Sequence, residues 1–261
     1  MRRFSLAVMA VLLCACGESA RRADLPEAPF ADVPDTIDTR YSQVPAAAWL
    51  GGDQWVVVAQ EYDEAVRVNF ADGSVTPVGG RTRGDAWRNP AGVFSVGDTI
   101  WLQDWGLRRV TVWGPGDSLL RSFPVPDALR GTFPQARDAQ GRLYFEVPPV
   151  PGRLGEGNRD SAAVVRSTPD LARFDTVARL APLDIAEVTG IAGRRFERRV
   201  YSGTDEWGVL PDGSLWIARV YQNRIFWRTS DGSDWQRGPS LPDPVYEVTA
   251  ADQEFFVQQF P

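Results

Sequence analysis

The chain has 261 residues, of which 43% are hydrophobic, so it can bury the core of one large domain or two small ones. It contains no histidine, which excludes Ser-His-Asp and Cys-His catalysis and histidine-ligated metal sites, and its net charge of −6 argues against nucleic acid as a partner. The 24 glycines and 20 prolines are spread along the chain, a pattern typical of short strands joined by turns, so we expect an all-β fold.

The N-terminus has the composition of a targeting segment. Two arginines precede an apolar stretch over residues 4–13, followed by Leu13-Cys14-Ala15-Cys16. This segment resembles a bacterial lipoprotein signal. In that family the peptide is cut before a cysteine that carries a diacylglycerol, which implies lipidation of Cys16; Cys14 fits less well because Leu13 stands in the small position before it. The alternative is an ordinary secretory signal with two incidental cysteines.

The resemblance divides the first part of the chain into a signal peptide over 1–15 and a lipid-anchored, flexible tether over 16–44. The lipid bilayer is then a partner, in the cell envelope of a bacterium. Gly17 after Cys16, rather than an aspartate, favours the outer membrane, facing the periplasm. The tether is polar and rich in Pro, Ala and Asp, although Thr36 to Val44 is alternatively a strand that closes the last repeat. Removing 1–15 changes the net charge from −6 to −8 and leaves Cys16 as the one cysteine, whose lipidated sulfur is not a thiol for an internal disulfide.

Residues 45–261 contain a repeat. The segments 55–74, 99–118 and 214–233 align without a gap, at offsets of 44 and 115 residues. This alignment places Val57, Trp101 and Trp216 in step, and likewise Val66, Val110 and Ile225. A repeat of this period predicts a modular fold.

Each copy consists of a Gly/Asp turn and strands separated by a short loop and a Gly-containing turn. In the second copy we expect strands at Ala91 to Val96, Ile100 to Gln103, Arg109 to Trp113 and Leu119 to Val125. Four antiparallel strands in about 44 residues match one blade of a β-propeller. The predicted blades lie near 45–80, 90–126, 134–180 and 204–240.

The third of these blades is a stretched copy. Tyr144 takes the place of the repeat's aromatic residue, and strands are expected at Ala162 to Ser167 and Arg173 to Leu180. A Pro/Gly-rich insertion over Pro148 to Asp160 interrupts its hairpin. A second insertion, Ala181 to Thr204, separates it from the last blade and carries the basic run Arg194 to Arg199.

The end of the chain departs from the repeat. Thr249-Ala250-Ala251-Asp252 resembles a capping box and predicts a short helix near 249–260, with Phe256 and Phe260 on one face. No fifth blade follows the helix in the sequence.

The segments Asp205 to Gly232 and Gly238 to Phe256 resemble the six-bladed β-propeller lipoproteins of bacteria, which are similar to NHL-repeat propellers. The strands beginning Arg109-Val110 and Arg224-Ile225 carry part of that likeness. The resemblance implies six blades where four are evident, so the ring is either incomplete or closed with fewer. It implies little about function, because this fold hosts sensors, binding scaffolds, lyases and lactonases.

Carboxylates are the first candidates for chemistry. Glu61, Asp63 and Glu64 lie in the loop between the second and third strands of the first blade, and Asp104 opens the matching loop of the second. These loops line one rim of a propeller. A carboxylate pair there can serve glycoside cleavage or bind calcium. The alternative is a solvated polar loop.

The same loops carry aromatic residues. The ungapped alignment places Tyr62 in register with Tyr221 and Trp105 one position away. Partly exposed aromatic rings stack on sugars or clasp peptides, and the alternative is packing between neighbouring loops. Trp101 and Trp216 recur inside strands and are interpreted as packing residues.

We therefore expect a membrane-anchored β-propeller that acts as a binding or scaffolding module for a protein, peptide or glycan. Its candidate ligand residues are Tyr62, Asp63, Asp104, Trp105 and Tyr221. No catalytic residue, metal or cofactor is assigned. The alternative function is a carboxylate-dependent hydrolase or lyase that acts on polysaccharide or peptide at the rim. The Arg194 to Arg199 run is either a docking patch for an anionic partner or a solvated face.

Overall fold

The computed structural model describes residues 41, 43–79, 87–149, 161–190, 193–200, 202–242 and 247–259. All of them belong to one of two compact units of the chain, Pro34–Pro261. The proposed signal peptide, Cys16 and most of the tether lie outside the described residues, as do Phe260 and most of the Pro148 to Asp160 insertion.

Four antiparallel sheets of four strands each follow one another along the chain. Blade 1 contains β1 (Ala46–Gly51), β2 (Gln54–Ala59), β3 (Glu64–Asn69) and β4 (Ser74–Pro77), and blade 2 contains β5 (Pro90–Val96), β6 (Thr99–Asp104), β7 (Arg109–Trp113) and β8 (Leu119–Pro124). Blade 3 contains β9 (Pro134–Arg137), β10 (Leu143–Val147), β11 (Ala163–Ser167) and β12 (Phe174–Arg179). Blade 4 contains β15 (Glu206–Val209), β16 (Leu215–Arg219), β17 (Arg224–Arg228) and β18 (Gln236–Ser240).

Two further elements complete the described fold. The strands β13 (Ile185–Gly190) and β14 (Gly193–Arg198) form a separate hairpin between blades 3 and 4. This hairpin lies within the second insertion, where the sequence predicted no strands. Helix α1 (Ala250–Gln259) follows blade 4.

The predicted β-propeller fold is confirmed, with four blades and one short C-terminal helix. Strand alternation gives each sheet two apolar faces, and consecutive sheets pack face to face. Leu102 contacts blade 1 while the adjacent Trp101 contacts blade 3. In the same way Phe145 contacts blade 2 and Tyr144 contacts blade 4, so Tyr144 is equivalent to Trp101, as the spacing predicted.

Three hydrophobic clusters form the core, one at each junction of consecutive blades. Among the described residues, no such cluster joins blade 4 to blade 1. The outward faces of these two blades expose tryptophans instead: Trp49 is 57% exposed on blade 1 and Trp227 is 38% exposed on blade 4.

The strand pairing corrects the repeat register in blade 1. Ala59 pairs with Glu64 at the end of β2, and the equivalent pairs are Asp104–Arg109 in blade 2 and Arg219–Arg224 in blade 4. Blade 1 is therefore offset from blade 2 by 45 residues in these two strands, whereas the ungapped alignment predicted 44. Val56, not Val57, is the counterpart of Trp101.

The difference between the two offsets arises in the turn between β3 and β4, which is one residue longer in blade 1 than the equivalent turn in blade 2. Val68 pairs with Val75 across that turn, whereas Trp113 pairs with Leu119 across the shorter turn of blade 2. Beyond this point the offset returns to 44, which is why the Ser74 and Ser118 positions align correctly. The ungapped alignment is therefore correct only at the end of the repeat, beyond β3, and is shifted by one residue throughout β2 and β3.

Candidate functional site

The loops that carry the predicted site residues are tight four-residue turns between the second and third strands. Each turn ends in a residue with a left-handed backbone, and these are Asp63, Arg108 and Asn223, with φ of 51°, 49° and 48°. The shared geometry independently supports the corrected register. In that register Tyr62 corresponds to Gln222 and Tyr221 corresponds to Glu61, so the predicted equivalence of the two tyrosines is wrong.

Asp104 lies in the interior, although the sequence placed it among the candidates for the rim. Its side chain is buried, and its two oxygens accept backbone N–H groups: Oδ1 from Leu107 at 3.1 Å and Oδ2 from Arg88 at 3.2 Å. This carboxylate organises the turn after β6. Asp63 is exposed, and its N–H donates to the carbonyl of Gln60 at 3.1 Å, closing the corresponding turn of blade 1.

Tyr62 and Trp105 pack against aromatic neighbours in their own surroundings. Tyr62 meets Tyr41 edge to face, with ring centroids 5.6 Å apart. Trp105 is 60% exposed, and its ring lies 5.5 Å from that of Phe133. Among the ring contacts of the described residues, none joins Tyr62, Trp105 and Tyr221 to one another. The rim aromatics therefore do not form one continuous platform.

Tyr221 differs from the other predicted residues because it lines two cavities, which we call together the Tyr221 cleft. The Tyr221 side chain is 53% exposed, and its hydroxyl lies 3.5 Å from the carbonyl oxygen of Gly203. The cavity toward the helix encloses about 640 Å³ and the one toward blade 3 about 540 Å³. Each volume is within the range of small-molecule and side-chain binding sites.

The first of these, the helix-side cavity, lies between α1, the turn at Tyr221 and the chain that follows the β13–β14 hairpin. Its wall is mainly apolar and is formed by Val200, Val220, Val248, Phe256 and Val257. One ion pair, Arg199 with Asp184 at 3.1 Å, lines it as well. A side chain at Gly203 would clash with Val220, so glycine permits the close approach of these two segments.

The N-terminus of helix α1 is capped by its own first turn. The Asp252 N–H donates to Thr249 Oγ1 at 3.3 Å, and Asp252 Oδ2 accepts the Thr249 N–H at 2.8 Å. This reciprocal capping box confirms the sequence prediction, and its hydrogen bonds lower the pKa of Asp252. Phe256 is half-buried toward the cavity, whereas Phe255 on the adjacent face is 61% exposed.

The second, the arginine-side cavity, is built on a buried ion pair. Asp205 is 6% exposed and pairs with Arg219, while its Oδ1 accepts the N–H of Val220 at 3.1 Å and its Oδ2 the N–H of Ala181 at 2.7 Å. Apolar side chains complete the wall, and Arg179 also lines it; the apolar members are Leu180, Pro182, Phe226 and Trp235.

Sequence reasoning found Tyr221 but missed the groups around it. Asp205 immediately precedes β15 and Arg219 ends β16, so the two residues meet only in the folded sheet and no local spacing connects them. The signals that were available are the Asp immediately before β15 and the Arg immediately before the turn. The helix was predicted, but its position against blade 4 was not.

The basic run Arg194 to Arg199 is largely neutralised within the insertion. Arg194 pairs with Glu187, Arg195 with Glu197, and Arg199 with Asp184. Arg198 donates to the Ser202 side chain and carbonyl. These local partners favour the interpretation of the run as a solvated face.

No group of three or more metal-ligating side chains is found among the described residues. Within the same part of the chain, no helix is long and apolar enough to cross a membrane.

No family model matches the chain, and no curated protein matches its sequence. Several solved structures are similar in fold. Virginiamycin B lyase from Staphylococcus aureus matches with a TM-score of 0.42 and 11% identity over 76% of this chain and 70% of the lyase. A gluconolactonase from Xanthomonas campestris matches with a TM-score of 0.40 and 14% identity over 79% of both chains. A chain of a nidogen/laminin complex matches with a TM-score of 0.37 and 16% identity over 74% of this chain and 78% of the matched chain.

These likenesses are too distant to carry an argument about activity. The class of the protein, a β-propeller, follows from its own four sheets and their packing.

Proposed function

We propose that this β-propeller is a binding module that takes up an apolar peptide segment in the Tyr221 cleft. The observation that carries the proposal is one exposed aromatic ring lining two cavities, each with a predominantly apolar wall. Such a concave, mostly apolar site with a few polar groups suits a peptide whose side chains enter the two cavities on either side of Tyr221. A glycan is the less suitable ligand, because the rim aromatics that would extend a stacking platform are separate.

No observation favours the alternative of a carboxylate-dependent hydrolase. Both oxygens of Asp104 accept backbone hydrogen bonds in the interior. Asp205 is likewise engaged, by one guanidinium and two backbone N–H groups. A binding role requires neither carboxylate to reach a substrate.

Tyr221→Ala tests the binding site. The purified protein is screened on a random peptide library, and the affinity of each selected peptide for the wild type and for each variant is measured by calorimetry. We expect Tyr221→Ala to weaken binding at least tenfold without changing the melting temperature, because Tyr221 is largely exposed. Tyr62→Ala is the matched control, since Tyr62 packs on Tyr41 and does not line the cleft.

Equal loss of affinity in both tyrosine variants would contradict this location of the site. Selection of glycans rather than peptides on parallel arrays would contradict the ligand class. A large drop in melting temperature for Tyr221→Ala would show that the ring stabilises the fold instead.

We further propose that the module is held at the bacterial outer membrane, on its periplasmic side, by a diacylglycerol on Cys16. The support is the sequence pattern of the first sixteen residues. Cys16→Ala in the full chain is expected to move the protein from the membrane fraction to the soluble periplasmic fraction, and Cys14→Ala is the matched control that leaves it membrane-bound. Unchanged fractionation of Cys16→Ala would rule out this anchor.

A further inference from the structure

The arginine-side cavity has an unequal balance of charge. Two guanidinium groups, those of Arg179 and Arg219, line it together with a single carboxylate, that of Asp205. The carboxylate side chain is 1% exposed and forms the buried base of the site, while the Arg219 side chain is 24% exposed. The charged part of the surface that a ligand meets is therefore cationic, within a wall that is otherwise mainly apolar.

Arg219 is oriented but not saturated. A guanidinium carries five N–H donors, and the one hydrogen bond that Arg219 makes within the described residues runs from Nη1 to Asp205. Asp205 is itself fixed by the backbone N–H groups of Ala181 and Val220, so it holds the guanidinium in one orientation. Arg219 thus keeps donors for a further acceptor at the cavity.

Arg179 adds a second charge, and no ion pair to it is found in the part of the chain that the structure describes. Arg179 is exposed at the end of β12. Nearby Arg166, on the adjacent strand β11, instead forms a two-bond pair with Asp175, at 3.2 and 2.7 Å. Arg179 is consequently available to an anion from outside the chain.

We propose that this cavity binds a carboxylate that is attached to an apolar group. The planar guanidinium of Arg219 matches the geometry of a carboxylate, and the net charge of one, from two cations and one anion, matches a monoanion. The apolar group lies against Phe226 and Trp235 beside Tyr221. Two sources offer this chemistry: the free C-terminus of a peptide that ends in an apolar residue, and a small carboxylic acid. The inference rests on the proposed binding function and defines the end of the ligand.

Matched acids and amides test the charge requirement. The probes are a hexapeptide ending in phenylalanine as the free acid, the same peptide as the C-terminal amide, N-acetyl-phenylalanine, its amide, and inorganic phosphate, each titrated by calorimetry. We expect each acid to bind at least tenfold more tightly than its amide, because hydrogen bonds to a charged group are lost in the amide. Tighter binding of the peptide acid than of N-acetyl-phenylalanine assigns the site to peptide C-termini; equal binding assigns it to small acids.

Three variants locate the effect in this cavity. Arg179→Gln removes an exposed charge with no ion pair, and we expect it to weaken acid binding severalfold at unchanged melting temperature. Arg219→Gln alone strands the buried Asp205 carboxylate and is expected to destabilise the fold, so the double variant Asp205→Asn/Arg219→Gln is used beside it. Arg237→Gln is the control, because Arg237 is an exposed arginine of blade 4 outside the cleft.

The outcomes separate this inference from the function on which it rests. If acids and amides bind equally and Tyr221→Ala still abolishes binding, the carboxylate site is wrong and the binding module stands. Tighter binding of phosphate than of the acids, or no effect of Arg179→Gln and the double variant, overturns the carboxylate site in the same way. If neither these probes nor any library peptide binds in a Tyr221-dependent manner, both proposals fail.

Discussion

Tyr144 shows how a single buried residue makes stability depend on pH. It is fully buried at the junction of blades 3 and 4, and its hydroxyl donates to Asp138 Oδ2 at 2.8 Å. Burial and the hydrogen bond to this carboxylate raise the pKa of Tyr144 to about 12, from an ordinary value of 10.0. Asp138 also accepts the backbone N–H of Arg142 at 2.9 Å, and this second hydrogen bond holds the carboxylate in position for the tyrosine hydroxyl.

We predict that the free energy of unfolding falls between pH 10 and 12 because of this residue. In that window the unfolded chain loses the tyrosine proton while the folded chain keeps it, so folding is penalised as the pH rises. The rise in pKa from 10.0 to about 12 contributes on the order of 3 kcal/mol. Urea unfolding at pH 8, 10, 11 and 12 measures it as the difference between the wild type and Tyr144→Phe, whose stability is expected to decline less.

Tyr221→Phe is the control for that series, because Tyr221 is largely exposed. Its decline with pH is expected to follow the wild type. An identical decline in Tyr144→Phe would mean that the buried hydroxyl is not the titrating group.

At the scale of elements, strands were predictable where the pattern is local. The bounds of β7 were predicted as Arg109 to Trp113 and are observed there, because alternating apolar residues stand between turn residues. Asp212 and Asp231 lie in turns, where their side chains accept the N–H of Ser214 and Ser233 at 2.8 and 2.9 Å. These bonds, together with side-chain hydrogen bonds to Ser214 and Thr229, lower the pKa of both carboxyls.

Register was less predictable than strand position, because it depends on turn length. When a turn is one residue longer in one blade than in another, the side chains that face the neighbouring blade shift by one position. An ungapped alignment cannot detect this difference in turn length. The result was the mistaken match of Tyr62 with Tyr221 and of Val57 with Trp101. The hydrophobic pattern was a better guide: Val56 and Val58 are buried toward blade 2, whereas Val57 is half-buried.

The β13–β14 hairpin was not predicted, because it contributes no fully buried residue among those described. Its strands are joined across the ladder by surface pairs such as Arg194 with Glu187, which stabilise a fold little. The ion pair beside Tyr221 was not predicted for a related reason, since Arg219 and Asp205 become neighbours only when β15 and β16 pair. The sequence identifies the residues of such a site, but tertiary pairing brings them together.

At the scale of the whole molecule, each blade depends on its immediate neighbours. Blades 2 and 3 contribute to two hydrophobic clusters each, while blades 1 and 4 contribute to one each. In modular folds with this arrangement, stability is approximately a sum of unit and nearest-neighbour terms. The chain should therefore open from its two ends toward its middle.

Native-state hydrogen exchange tests this expectation. We predict the slowest exchange in β6 and β10, the second strands of the two middle blades, and faster exchange in β3 and β17 of the end blades. Ile217→Ala, at the junction of blades 3 and 4, should accelerate exchange in blade 4 and leave blade 1 unchanged. Val58→Ala, at the junction of blades 1 and 2, is the reciprocal control; both residues are 0% exposed, so each truncation leaves an internal cavity, the larger one at Ile217. Equal acceleration in all four blades after either substitution would show that the propeller opens as one cooperative unit.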